Sequence, residues 1–538
     1  MINSTRIAVA VCALAAAVPA HAQSISLTLD DALQRAVEHN PDLAIVKLAT
    51  EVEAAQVGES RTAYTPMFST TLGRSSNATP PTDFLLGTQG IDTRDWFSST
   101  RLRQRVPLGN GTWSLSWDAA RTTSNSPLNS FNPSVASGFL LAYSQPLLRD
   151  RKIDAARVQY VIAKRNEASS DLRFRESVVQ TVAAVKQAYW TLKALRANVE
   201  VQQRSLELAE QLERENAVRV RVGQSPPIDL VQVQTEAAQR RENLISARAA
   251  ADDSEDRLRR LIMDPNDASF WHATLDVVDE PAGPSELPDL DAVVAKAQSE
   301  RYDIARARND VSNAATNVEF HSNQRLPDVR LETSYAGAGL GGGQLLRTGA
   351  FPGVVSGTLN SGFGSVLGQT FGTDYPTWSV GVTLSYPIGR SFEDVSTVQA
   401  EVERRQATQR IASLQLDVAT SIRQAARQVR STAERADAAR AGATLAEQRL
   451  DSEQRRYEVG LSTSFLVTQA QRDLLQAQVN LLQATLDYQS SLVAFEALQL
   501  APAMSSGDTV NVSGSNVQPI PTPNPQGLFR AGAGGVQP

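Results

Sequence analysis

The spacing of apolar residues in two long polar segments predicts two very long α-helices. The first segment repeats apolar side chains in steps of four and three residues, at Val178, Val182, Val185, Tyr189, Leu192, Leu195 and Val199. The second does nearly the same at Ile411, Leu414, Val418, Ile422, Ala425 and Val429. A period near 3.5 residues indicates a narrow seam that packs against another helix, as in coiled coils. Residues 152–222 contain no Pro or Gly, so this helix would be about 100 Å long.

Shorter segments between these helices alternate apolar and polar residues, as strands do. The clearest one ends before Pro387 and has its apolar residues at Trp378, Val380, Val382, Leu384 and Tyr386. The first half of the chain offers four such windows, at roughly 66–76, 95–106, 112–122 and 137–146. Windows of about ten residues with aromatic residues near their ends are typical of tilted strands that cross a membrane. A soluble sheet packed on a core is the alternative interpretation. The glycines of 337–343 are interpreted as a flexible loop between strands.

The two halves of the chain repeat each other. Leu29–Ala36 (LDDALQRA) is echoed by Leu290–Ala297 (LDAVVAKA), and Pro66 by Pro327. Two long copies exclude a solenoid of short repeats. We therefore predict a first repeat over 23–263 with strands inserted at about 66–146. A Pro- and Asp-rich linker over 264–289 follows, and then a second repeat over 290–501 with strands at about 328–387.

The start of the chain indicates export, and its end has the composition of a disordered tail. Residues 1–22 have the pattern of a secretory signal peptide, with Arg6, an apolar run and the small-residue cleavage site Ala20-His21-Ala22. Cys12, the only cysteine, lies inside this segment, which predicts a processed chain without disulfides or thiol chemistry. The tail over 502–538 is rich in Pro, Gly and Ser and is predicted to be disordered.

The composition offers no reaction chemistry. The 52 basic and 58 acidic residues are spread along the chain, without the basic patch that a nucleic-acid partner needs. The histidines His39, His272 and His321 lack companions at metal-ligand spacing. Neither a nucleophile elbow nor a phosphate-binding loop occurs. We therefore expect no enzyme activity, cofactor, metal site or nucleic-acid binding.

Several motifs, in their order and doubled spacing, resemble TolC-type outer-membrane efflux proteins (outer membrane factors) over about residues 27–500. They are Leu27–Leu33 (LTLDDAL), His39–Leu43 (HNPDL), Gln145–Leu148 (QPLL) and Arg456–Ser462 (RYEVGLS). The resemblance implies a mostly α fold, in which long helices form a periplasmic barrel. The β-strands would contribute to one outer-membrane barrel shared by a homotrimer. It further implies a passive exit duct of a tripartite efflux or type I secretion system. Its partners would be outer-membrane lipid, a periplasmic adaptor protein and an inner-membrane transporter.

One feature departs from this family. The first half has four strand windows where the family pattern has two, and the additional hairpin around residues 106–112 would either widen the barrel or extend it outward. From the sequence we expect four membrane strands per chain and twelve in a trimer.

The resemblance also points to the turns between long helices. Residues implied to meet the adaptor are Val222, Gly223, Gln224, Ser225, Val459, Gly460, Leu461 and Ser462; the alternative is that they only form the turns. The gate implied just beyond them comprises Asp229, Gln232, Tyr457, Leu466 and Gln469. Asp229 would focus a negative potential in a narrow bore, or else cap the following helix. Leu466 stands where a second acidic residue is expected, which suggests a constriction that relies partly on dewetting.

A periplasm-spanning coiled-coil protein or adhesin stalk without transport activity is the competing function. It accounts for the long helices but leaves the paired amphipathic strands in each half unexplained.

Overall fold

The computed structural model describes residues 24–502 except 81–89, 268–269, 272, 282, 284–286, 351–352 and 373. The predicted signal peptide, the tail from 503 onward and His272 lie outside the described residues. Each half begins with two short helices, continues into strands and ends with a long helix and a returning helix. The short helices are α1 (Leu29–His39), α2 (Pro41–Arg61), α5 (Leu290–Glu300) and α6 (Tyr302–Gln324). The predicted twofold repeat and mostly helical fold are therefore confirmed.

The two long helices have the same length. Helix α3 (Ala155–Arg221) and helix α8 (Phe392–Glu458) contain 67 residues each, which corresponds to about 100 Å. Each returns through a shorter helix, α4 (Pro227–Ile262) or α9 (Ser464–Leu498). The predicted seams are buried at their centres, at Val185, Tyr189, Leu192, Val418, Ile422 and Val429. Much of the remaining surface of α3 and α8 is polar and partly exposed. The buried seams are therefore the contacts that position these two helices.

A polar residue before α2 or α6 ties the start of each repeat to its last helix. The side chain of Asn40 accepts the backbone N–H groups of Asp42 (2.8 Å) and Leu43 (3.2 Å), and its amide donates to the Leu261 carbonyl at 3.0 Å. Arg301 holds the corresponding place in the second repeat. Its guanidinium donates to the Leu498 carbonyl at 2.9 Å and to Asp303 at 2.7 Å. Different side chains thus make the same long-range connection.

The linker contributes a strand that the sequence did not predict. Strand β6 (Thr274–Val277) pairs in parallel with β1 (Ser24–Leu27). Both pack on the middle of α3, where the Tyr189 hydroxyl lies 3.0 Å from the Leu27 carbonyl and 2.9 Å from Asp279. Burial raises the pKa of Tyr189 to about 12, so it stays a neutral hydrogen-bonding group. The linker is therefore anchored to the first repeat.

The inserted strands of both halves form one antiparallel sheet. Its strands in the described parts of the chain are β2 (Met67–Thr79), β3 (Ile91–Arg105), β4 (Thr112–Ser124), β5 (Phe131–Pro146), β7 (Asp328–Thr348), β8 (Val354–Ser361) and β9 (Pro376–Ser385). The order is β2-β3-β4-β5-β7, and the far side of β7 pairs with β9 over its first half and with β8 over its last third. Among the described residues, six strands therefore lie side by side. The expected number of four is wrong for this sheet, because the additional hairpin pairs in full register with its neighbours.

The pairing register gives the sheet one apolar and one polar face. A row of direct cross-strand neighbours on one face consists of Phe68, Leu102, Leu115, Leu141, Tyr335 and Trp378. The next row, on the opposite face, consists of Met67, Arg103, Ser114, Ala142, Ser334 and Ser379. The apolar row is largely uncovered, and Trp378 is 71% exposed. Such a face requires a non-aqueous environment or a partner.

The glycines predicted to form a loop instead lie within strand β7. Helix α7 (Phe363–Phe371) packs on them, and its Phe371 ring stacks on Phe139 at 5.4 Å between centroids. A Cβ at Gly337 would come within 2.3 Å of the Thr370 carbonyl oxygen. The loop interpretation is therefore wrong, because these glycines allow a helix to approach the sheet backbone closely.

Candidate functional site

The turn after α3 is closed by glycine in a left-handed conformation. Gly223 has φ +74°, and its N–H donates to the Val220 carbonyl at 3.1 Å. The next N–H, of Gln224, donates to the Arg219 carbonyl at 2.8 Å. This pair of bonds is the Schellman motif, which satisfies the last carbonyls of a helix. Ser225 and Pro226 then lead into α4, with Pro227 at its first position.

The turn after α8 has the same geometry and is strongly apolar at its surface. Gly460 has φ +79°, and Leu461 N–H donates to the Arg456 carbonyl at 2.8 Å. Val459 and Leu461 are 70% and 79% exposed. The Ser462 hydroxyl donates to Glu453 and so fixes the turn against α8. Both turns therefore present apolar side chains on a rigid backbone.

Tyr457 connects the last turn of α8 to α3. It is 5% exposed, its hydroxyl lies 3.4 Å from Asn216 Oδ1, and the Arg219 guanidinium carbon lies 4.2 Å from its ring centroid. Burial raises the pKa of Tyr457, and the nearby Asp229 carboxylate acts in the same direction. Since Asn216 is fully buried, this contact belongs to the interior of one chain.

Asp229 lies in the first turn of α4 and is not the N-cap of this helix. The residue at the N-cap of α4 is Pro226, and Asp229 is the third residue of the helix. The suggested capping role is therefore wrong, because the helix starts at Pro227, three residues earlier than a cap at 229 requires. An acidic residue in the first turn still favours the helix dipole. The Asp229 residue is partly exposed.

The other predicted gate residues line the exposed starts of the returning helices. Gln232 and Leu466 are exposed, and Gln469 is partly exposed. The Gln469 amide donates to Asp473 at 2.8 Å, and Asp473 also accepts from Arg449 of α8 at 2.8 Å. Within one chain these residues do not converge on a single contact.

A buried charge cluster near the turns was not predicted. Glu236 of α4 binds Arg240 through one carboxylate oxygen at 2.5 Å and Arg472 of α9 through the other, with Arg472 Nε at 3.0 Å. Burial would raise the pKa of Glu236, but the hydrogen bonds and charges of the two arginines outweigh it and lower this pKa. Only the i, i+4 spacing of Glu236 and Arg240 was visible in the sequence. The cluster joins the returning helix of one repeat to that of the other.

No group of three or more His, Cys, Asp or Glu residues in the described part of the chain is arranged to hold a metal ion. Among the same residues, no helix combines the length and the apolar character needed to cross a membrane.

The fold matches several solved outer-membrane channels at low sequence identity. A structure of CusC, described in terms of transmembrane channel formation, has a TM-score of 0.64 and 12% identity, covering 89% of this chain and 93% of that chain. The CmeC outer membrane channel of Campylobacter jejuni has a TM-score of 0.62 and 14% identity, covering 88% and 85%. The open MtrE outer membrane channel of Neisseria gonorrhoeae has a TM-score of 0.58 and 18% identity, covering 88% and 89%. A search of curated proteins finds no match.

Long helical hairpins joined to an amphipathic sheet are the fold that this chain shares with these solved channels. The sequence model of the family described as outer membrane efflux protein matches residues 110–262 and 293–499, more than half of the chain. The chain belongs to this family. It is accordingly an efflux channel of the bacterial outer membrane, with its helical part in the periplasm.

Proposed function

We propose that the chain works as a homotrimeric exit duct that receives its cargo from an inner-membrane transporter through a periplasmic adaptor protein. The observation that carries this proposal is the open six-strand sheet with one apolar and one polar face. Unpaired strand edges are not tolerated in lipid, so a membrane-inserted sheet of this kind needs further copies to close. The polar face then lines a water-filled bore.

The helical part supports the same assembly. Rods of about 100 Å bury a narrow stripe within one chain, whereas Leu416 and Leu445 of α8 remain exposed. Because apolar positions on such long helices are stabilised by neighbouring helices, three copies arranged around one axis would cover them. A tunnel wall results from the packing of α3, α4, α8 and α9.

We place adaptor docking at the two turns. The residues concerned are Val222, Gly223, Gln224, Ser225, Val459, Gly460, Leu461 and Ser462. Two observations support this: the backbone of each turn is fixed by its Schellman motif, and the apolar side chains at its surface are exposed. Rigid exposed apolar side chains bind a partner with little loss of conformational entropy.

We place the gate at the start of the returning helices, with Asp229, Gln232, Leu466 and Gln469 facing the bore and Tyr457 bracing it from within. Three Asp229 carboxylates around a narrow bore would favour cations. The Glu236–Arg472 pair would hold the two hairpins of one chain together while the gate is closed.

Planar-bilayer recording of the purified protein tests this function. The proposal expects trimers that dissociate only on heating in detergent gels, and discrete cation-preferring conductance. Asp229→Asn should reduce the cation preference, and Asp229→Glu should retain it. A protein that is monomeric and electrically silent would overturn the duct. Equal cation selectivity in the wild type, Asp229→Asn and Asp229→Glu would show only that Asp229 is not part of the gate.

A further inference from the structure

We propose that three copies of this chain close an eighteen-stranded membrane barrel, in which β2 of each copy pairs with β9 of the next. This inference rests on the proposed trimeric duct and concerns the width of its membrane section. The described part of each chain has six strands side by side, and three chains would contribute eighteen.

The direction of the edge strands fits such a seam. Strand β2 leaves the helical part after α2, and strand β9 returns to it before α8. Since every neighbouring pair in the sheet is antiparallel, an even number of strands per chain makes the new pair antiparallel too. Strand β2 has 13 residues and β9 has 10, so β2 is long enough to pair with the whole of β9.

Both edges are unpartnered along the described strands, and their apolar side chains point to the same face. Phe68 and Leu72 of β2 are exposed, as are Trp378, Val380 and Val382 of β9. The register places Phe68 and Trp378 at opposite ends of one apolar row. A second copy therefore continues both the hydrogen-bond ladder and the apolar belt, whereas an unrelated partner would have to match both.

The additional hairpin widens the belt instead of rising above it. Leu102 of β3 and Leu115 of β4 are direct neighbours in the same apolar row as Phe68 and Leu141. All four strands therefore cross the same level of the membrane. Strands about 4.8 Å apart and tilted by about 40° give a backbone diameter of about 36 Å for eighteen strands and about 24 Å for twelve.

End-on cryo-electron microscopy of the purified trimer distinguishes these widths directly. We expect the larger diameter for the full chain and the smaller one for a variant lacking residues 91–124, in which β2 would meet β5 with Phe68 beside Leu141. A full-length trimer that conducts but has the smaller diameter would overturn this inference alone. A protein that forms neither trimers nor channels would overturn the proposed duct as well.

Cysteine cross-linking tests the seam without deletion. With Cys12 replaced by Ala, Gly381→Cys on the polar face of β9 is combined in turn with Ser69→Cys, Thr71→Cys and Gly73→Cys on the polar face of β2. One of these pairs should give reducible covalent trimers, because same-face neighbours meet disulfide geometry. The matched controls Thr70→Cys and Leu72→Cys lie on the opposite face and should not cross-link. Equal yields from both faces, or none from any pair, would contradict the seam.

Discussion

Glu236 and Arg472 join the two hairpins, and the loss of each side chain should destabilise the protein by a different amount. Glu236→Ala would leave Arg240, 5% exposed in its side chain, with no ionic partner among the described residues. Removing one member of a buried pair costs about 3 kcal/mol, because the other charge stays buried and uncompensated. Arg472→Ala would leave Glu236 paired with Arg240, and the Arg472 side chain is 52% exposed. Its loss should cost only about 1 kcal/mol.

Hydrogen exchange of the purified protein measures this difference locally, since many large proteins unfold irreversibly as a whole. Amides of α4 and α9 near the turns should exchange about 100-fold faster in Glu236→Ala and about fivefold faster in Arg472→Ala. Glu210→Ala is the matched control. It removes an exposed pair with Arg241 between α3 and α4 and should change little.

The same variants connect stability to gating. If the cluster holds the hairpins closed, Glu236→Ala should also raise single-channel conductance above that of Arg472→Ala. Equal exchange rates in Glu236→Ala and Glu210→Ala would show that burial of Arg240 is unimportant. Faster hydrogen exchange without any change in single-channel conductance would show that the Glu236 cluster does not hold the gate closed.

Three further outcomes follow from the geometry. Gly460→Ala should destabilise the turn by about 1 kcal/mol because φ is positive there, whereas Gly442→Ala inside α8 should stabilise by a similar amount; urea titration of hairpin opening compares them. Asn40→Ala should cost about 1–2 kcal/mol through loss of the α2 cap, read as lower thermal stability of the trimer. Because the pKa of Glu236 is lowered in the folded protein, its contribution is present at neutral pH and is lost as pH falls below about 4.5. Hydrogen exchange at pH 4 and pH 7, corrected for intrinsic rates, should show this in the wild type and not in Glu236→Gln.

Local periodicity was sufficient to predict the helices and the presence of the strands. A seam repeated over many turns can be read without knowing its partner, and α3 has closely the predicted extent. Strand windows were also visible because apolar and polar residues alternate along them. The number of strands that lie side by side was not predictable, since it depends on the pairing register between distant segments.

The parts of the site that were missed depend on contacts across the chain. Arg472 and Glu236 are far apart in sequence, and exposed helices contain many Arg and Glu residues, so nothing marks this pair in advance. The Gly337 region was misread for a similar reason. A glycine run looks the same whether it provides flexibility or lets a helix approach, and only the position of Thr370 above the strand decides.

The two repeats share a backbone but divide their roles near the turns. Both long helices end in the same Schellman motif, yet the first repeat carries Asp229 where the second carries Leu466. Both turns expose apolar side chains, one at Val222 and two at Val459 and Leu461, whereas the buried Tyr457 belongs to the second repeat. Because Tyr457 packs against α3 and Arg472 against α4, motion of the second hairpin must disturb the first. The first turn of α4, which holds Asp229, is therefore connected to the second hairpin by contacts inside one chain.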